Sequence, residues 1–161
     1  MSPIEIIAIL AMTAYAIYKQ TIVSEVRDSG RFKLAVIYAV IGIAVGGFML
    51  PNRALGWGLL AISLALSAVV GVIRGRKTDV WMEADGRVVR RGNVLTIALF
   101  LGLIVAKFVL GTLAYFAHIS DGAGFGEIML MIAIMIAVQA EIVYRRGQAL
   151  RTSVQRTPQS A

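Results

Sequence analysis

The sequence predicts an all-α membrane protein with five transmembrane helices, the amino terminus outside, the carboxyl terminus in the cytoplasm, and a short cytoplasmic β-hairpin between the third and fourth helices. Three observations predict it. Of 161 residues, 58% are hydrophobic and 16% charged, against about 45–50% and about 25% in soluble domains. The apolar residues gather into five runs, each close to the roughly 17–25 residues that carry a helix across a hydrocarbon core of about 30 Å. Lys and Arg alternate between the connections instead of scattering.

The runs cover residues 3–18, 34–50, 55–73, 94–116 and 128–144. With about 150 residues per domain as a guide, the length fits one domain, residues 1–148, followed by a polar and flexible cytoplasmic tail over 149–161. The first run is the shortest and contains Glu5. A cleaved leader would carry cations ahead of its apolar core. Here the residues before Ile6 include Pro3 and Glu5 but neither Lys nor Arg, so a retained span is expected despite the cleavage-like Ala14-Tyr15-Ala16.

Orientation follows from the cations. None precedes the first run. The first connection holds Lys19, Arg27, Arg31 and Lys33, the second Arg53, the third Arg74, Arg76, Lys77, Arg87, Arg90 and Arg91, the fourth none, and the tail Arg145, Arg146, Arg151 and Arg156. Because cytoplasmic loops are enriched in Lys and Arg, the alternation places the protein as a multi-pass chain of a plasma (inner) membrane with its basic segments inside. The formal net charge of +7 then reads as topology and attraction to anionic headgroups. Nucleic acid is not an expected partner, since no basic motif is interleaved with aromatics.

Helices in lipid associate by close packing of small residues. Gly42 and Gly46 in the second run, and Ser63, Ser67 and Gly71 at i, i+4 and i+8 in the third, are the expected packing positions. A bundle interior is the expected use of these stripes, with a homodimer face as the other. Met129, Met131 and Met135 are expected to fill gaps in the core.

Lys107 lies deep in the fourth run. An ammonium at that depth costs about 2.5–3.5 kcal/mol on insertion scales and needs a partner. It stands nine residues before Phe116, or about 14 Å along a helix, too far for its stem to reach water. It should lean outward to Glu127 or Glu5, with Thr13, Tyr15, Tyr38 or Thr112 completing a polar pocket. Two roles fit it: a structural ion pair, or an intramembrane site for an anion or a proton.

The absence of Cys removes disulfides, thiol catalysis, covalent c-type haem attachment and Cys-held zinc or iron–sulfur clusters. The single histidine, His118, cannot supply two axial haem ligands and is expected as a solvated residue at the outer interface. Asp121 and Glu127 fall in or beside a Gly-rich outer loop rather than in a paired acid–base arrangement. No nucleophile–base pattern is present, so no enzymatic activity, cofactor or metal is expected.

Between the third and fourth runs lies a polar stretch from Arg74 to Arg91. Asp85-Gly86 between Val80-Trp81-Met82 and Val88-Val89 is a strong hairpin signal. Trp81 and the cations Arg74, Arg76, Lys77 and Arg87 should lay the ribbon against headgroups or helix ends, where it either sets the angle between two helices or docks a partner. At these residues, Arg74-Gly75-Arg76-Lys77-Thr78-Asp79-Val80-Trp81 and Asp85-Gly86 followed by a helix with a deep cation, the chain resembles the CcdC-like small integral membrane proteins. The resemblance covers roughly residues 71–144. It implies a small bacterial inner-membrane protein of uncharacterised function, linked to cytochrome biogenesis.

The expected function is therefore an accessory, assembly or interaction subunit that meets a membrane-protein partner or a second copy of itself. The alternative is a small oligomeric transporter or channel with Lys107 as its anion or proton site. Five spans cannot divide into two equal inverted halves, so that alternative requires an oligomer.

Overall fold

A backbone in lipid has no water to satisfy its N–H and C=O groups, so apolar segments fold as helices. A computed structural model describes residues 3–26, 30–46, 54–116 and 124–156. Among them are five helices, α1 (Pro3–Thr21), α2 (Lys33–Gly46), α3 (Ala54–Lys77), α4 (Val94–Phe116) and α5 (Phe125–Arg156), and three strands, β1 (Ser24–Glu25), β2 (Asp79–Met82) and β3 (Val88–Arg91). Three helices contain stretches long and apolar enough to cross a membrane: Gly56–Lys77, Val94–Leu113 and Phe125–Val154. The corresponding stretch of α2 is shorter, Lys33–Ala44, and its expected continuation to residue 50 lies outside the described residues. So do Arg53, His118, Asp121 and residues 157–161.

The helices organise around α5. Ile128, Met129, Met131, Ile132, Ala133, Met135 and Ile136 are all buried, which covers more than half of that helix's circumference over two turns, and Leu130 and Ile134 on the remaining side are half-buried. A helix apolar all round belongs in the middle of a bundle. The others have one inward stripe and expose large apolar side chains on the remainder, such as Ile62 and Val69 of α3 or Val105 and Val109 of α4. Such faces suit acyl chains.

Close approach is set by glycines. A Cβ at Gly42 would meet Met129 Cβ at 2.6 Å, and one at Gly71 would meet the Met135 carbonyl oxygen at 2.7 Å. The stripes Gly42–Gly46 and Ser63–Ser67–Gly71 thus belong, at these glycines, to the α2–α5 and α3–α5 interfaces. Gly102 is different: nothing lies within 4 Å of its Cβ position.

At the basic end, α3 extends one turn past its expected limit at residue 73, and two caps explain why. Asn93 accepts from the Thr96 amide at 3.0 Å and donates through Nδ2 to the Lys77 carbonyl at 2.8 Å, joining the end of α3 to the start of α4. Arg146 Nη1 lies 2.8, 3.0 and 2.7 Å from the carbonyl oxygens of Gly75, Arg76 and Thr78, placing a cation on the negative end of α3.

The hairpin gains a strand from the α1–α2 connection, giving an antiparallel sheet in the order β1-β3-β2. Trp81 pairs with Val89 and Ser24 with Arg90. Val26, Val88 and Val143 form a small core beneath it, with Val80, Met82, Tyr144 and Leu150 packed around. This seat explains a departure from expectation. Residues 149–156, expected in a flexible tail, continue α5, because Leu150 packs under the sheet and Arg151 Nη2 donates to the Val26 carbonyl at 3.0 Å. At 32 residues α5 is about 48 Å long, more than a bilayer core requires.

Candidate functional site

The depth of Lys107 in α4 and the start of α5 at Phe125 together dictate the first feature. Lys107 is 6% exposed, and its Nζ forms an ion pair with Glu127 Oε1. Glu127 occupies the first turn of α5, where the helix dipole favours a carboxylate. A third helix completes the arrangement: Ser63 Oγ lies 3.3 Å from Nζ, and Ser67 donates to the Ser63 carbonyl at 2.9 Å. Lys107 therefore ties α4 to both α3 and α5.

The other residues expected in this pocket lie elsewhere. Thr112 is exposed and donates to the Phe108 carbonyl at 2.8 Å; it sits on a different face of α4 from Lys107, five residues further on, and corrects that expectation. Thr13 belongs to the inward stripe of α1, and its Oγ1 is buried without a hydrogen-bond partner among the described residues. Glu5 stands in the first turn of α1. Tyr38 is fully buried and donates to the Met12 carbonyl at 2.5 Å; Tyr15 is exposed. Ser63, read from its spacing as a packing position, is also a polar partner.

Beside Lys107 is a cleft of about 10 Å³ lined by Leu103, Ile104, Ile128, Met131 and Ile132. That is at the lower limit for a single water. The lysine is held between a carboxylate and a hydroxyl, and this cleft holds nothing larger than a water.

The second feature is the basic-end platform. Gly86 adopts φ +80, the left-handed conformation that a hairpin of this type demands. The turn closes through Gly86 N–H to the Glu83 carbonyl, 2.9 Å, and Glu83 N–H to the Arg87 carbonyl, 2.8 Å. Asp85 accepts from the Arg87 backbone amide at 3.1 Å and from its Nε at 2.6 Å. That amide, and then the side chain, hold the Asp85 carboxyl below its ordinary range, and the carboxylate raises Arg87 in return. Burial lowers Arg90 of β3.

Trp81 is 37% exposed on β2, whose neighbours Val80 and Met82 pack against the small core below. Arg76 and Lys77 are exposed at the end of α3. Among the described residues β2 pairs only with β3, and no strand is paired to its other edge. Arg31 belongs to the same end: its guanidinium lies 4.3 Å from the Tyr144 ring centroid and 3.4 Å from Glu141, which also pairs with Arg145 at 2.7 Å.

Arg74 departs most from expectation. Its place among the surface cations is corrected: it is 0% exposed, because α3 continues through it and turns it into the bundle. Its Nη1 lies 3.0 Å from Met135 Sδ and its guanidinium carbon 5.2 Å from the Phe100 ring centroid. Nε and Nη2 have no hydrogen-bond partner among the described residues. Asn93, Arg146 and Arg151 fasten the platform; in the sequence the two arginines count only as tail cations, and the Asn93-x-x-Thr96 spacing ahead of an apolar run is the one signal of a cap. Among the described residues no group of His, Asp or Glu could hold a metal. No family profile, curated protein or solved structure matches the chain.

Proposed function

We propose that the protein is a five-span integral membrane protein of a bacterial inner membrane, amino terminus outside and basic end in the cytoplasm, that serves as an accessory or assembly subunit without catalysis of its own. One observation carries the proposal. The chain builds a three-stranded sheet on the far end of its longest and most buried helix and fastens it with Val26, Val88, Val143, Arg146 and Arg151. An isolated hairpin is marginal in water, so this platform is held rigid by design of the bundle. It leaves a strand edge, Trp81, Arg76 and Lys77 outward, features that suit a partner strand or an acidic partner surface beside anionic headgroups.

The filled surroundings of Lys107 weigh toward a structural ion pair and away from transport. The resemblance to the CcdC-like proteins suggests an assembly role near cytochrome biogenesis, and the lack of Cys excludes passing electrons by thiol exchange there.

The test is a pull-down from detergent-solubilised membranes with the wild-type chain and with Trp81→Ala/Arg87→Ala. A membrane-protein partner should be recovered with the wild type and drop at least about tenfold with the variant, a loss of about 1.4 kcal/mol. Recovery of the same partners in equal amount refutes the docking role of the platform.

A further inference from the structure

Arg74 is a guanidinium sealed in a helix bundle with two of its three nitrogens, three of its five N–H donors, unused. Soft partners hold its plane: Met135 Sδ takes Nη1, and the Phe100 ring lies beneath. The unused pair, Nε and Nη2, is the side-on edge that grips two oxygens of a carboxylate or phosphate in parallel hydrogen bonds. Burying a charge with no partner is costly. No described acid bonds that edge: Glu127 is on Lys107, Glu141 on Arg31 and Arg145, and Glu83 and Asp85 on Arg87, while Glu5 stands in the first turn of α1, Glu25 in β1 and Asp79 exposed at the start of β2.

The remaining buried and unpartnered side-chain polar atoms among the described residues are Thr13 Oγ1 and Gln20 Oε1. Both belong to the stripe of α1 that includes Ile9 and Ala16, at i, i+4, i+7 and i+11. Axial levels place this stripe at the depth of Arg74 in the bundle. The Gln20 carbonyl accepts from the Gly92 amide at 2.8 Å, and a Cβ at Gly92 would touch both Gln20 and Thr96, so Gln20 is level with Thr96. Phe100, over which Arg74 lies, is one turn of α4 further in. Thr13 is seven residues from Gln20, about 10 Å along α1, so the two orphans bracket the level of Arg74. Ala16, between them, shares one core with Phe100 and Met135.

α1 is also the helix that can yield. Ile4, Ile6, Ile7, Leu10, Tyr15 and Tyr18 are exposed, and of the tightly packed glycines Gly42, Gly71, Gly75, Gly92 and Gly147 only Gly92 faces it. The glycine contacts that join α3 to α5, at Gly71 and Gly75, do not involve it. We propose that Arg74 binds a small oxyanion, a carboxylate or phosphate group, admitted beneath α1 from the basic end, with Thr13 as a second donor. This site is independent of the docking platform.

The protein purified in mild detergent is titrated with sodium phosphate, sodium acetate and sodium chloride at constant ionic strength, and separately with phosphatidylglycerol in mixed micelles, and thermal unfolding is followed. The wild type should show a saturable rise of about 5–10 °C at an anion concentration about 100 times Kd. Arg74→Met should lose the response, and Arg74→Lys, which keeps the charge but not the fork, should need at least about tenfold more anion. A response confined to phosphatidylglycerol supports the site and identifies the oxyanion as a lipid headgroup. A wild type indifferent to all four additives, an equal response to chloride, or an undiminished response in either variant overturns the proposal.

Discussion

Glu127→Gln should destabilise the protein by about 3–5 kcal/mol, the cost of leaving a buried charge without its partner. Lys107→Met should cost clearly less. The asymmetry comes from where the two groups sit. Lys107 is 6% exposed and would be left with Ser63 Oγ at 3.3 Å as its remaining polar contact among the described residues. The Glu127 side chain is 24% exposed, stands where the α5 dipole favours a negative charge, and can turn to water. The double variant Lys107→Met/Glu127→Gln should recover most of the loss, since replacing both members of a buried pair is often close to neutral. Thermal unfolding in mild detergent, at about 2–4 °C per kcal/mol for a chain of this size, reads all three. A double variant no more stable than Glu127→Gln shows that the two side chains are not coupled, and a stable Lys107→Met protein that fails in the cell restores the transport reading.

Gly71→Ala should be the most damaging single-methyl change in the bundle, at about 1–3 kcal/mol or more. The new Cβ would lie 2.7 Å from the Met135 carbonyl oxygen, 3.2 Å from Met135 Cα and 3.0 Å from Val138 Cβ. Two of these are backbone atoms of the central helix, so relief requires α3 to move away from α5. That shift would also strain Arg74 on Met135 and Ser63 on Lys107, both anchored on α3. Gly102→Ala is the matched control on α4. Its Cβ meets nothing within 4 Å, so it should stabilise slightly through helix propensity, by up to about 1 kcal/mol. Opposite signs in the two unfolding midpoints are the expected result; equal effects would mean that α3 and α5 do not cross at Gly71.

Much of the bundle could be read from the chain because depth along a helix is arithmetic on residue numbers. The reach of Lys107 toward the acid at Glu127 follows from that arithmetic, as do the positions of α3, α4 and the hairpin. What depends on rotation about a helix axis was not legible. Ser63 carries the same small-residue signal whether it packs or donates and accepts, and only the azimuth of α3 relative to α4 brings it to Lys107. Thr112 was placed in the pocket by depth, yet its azimuth turns it out.

Arg74 was hidden for a related reason. In a charge count it is one more cation in a basic connection. Its burial arises because Asn93 and Arg146 cap α3 a full turn later than the apolar run ends, so the residue is carried by a helix instead of a loop. β1 is two residues long and offers no alternation to detect; it forms because Val26 fills a gap over Val88 and Val143. The same gap explains the helical residues 149–156, whose polar composition alone suggested a tail.

The central claim is that the sheet-bearing basic end faces the cytoplasm and the start of α5 faces outward. The absence of Cys makes each introduced cysteine a unique reporter. Gly124→Cys, just before α5, and Ala84→Cys, in the exposed turn of the hairpin, are treated in intact cells with a membrane-impermeant maleimide, and again after permeabilisation. Gly124→Cys should be labelled in intact cells, and Ala84→Cys only once the membrane is opened. Labelling of Ala84→Cys in intact cells, or of both positions alike, contradicts the account.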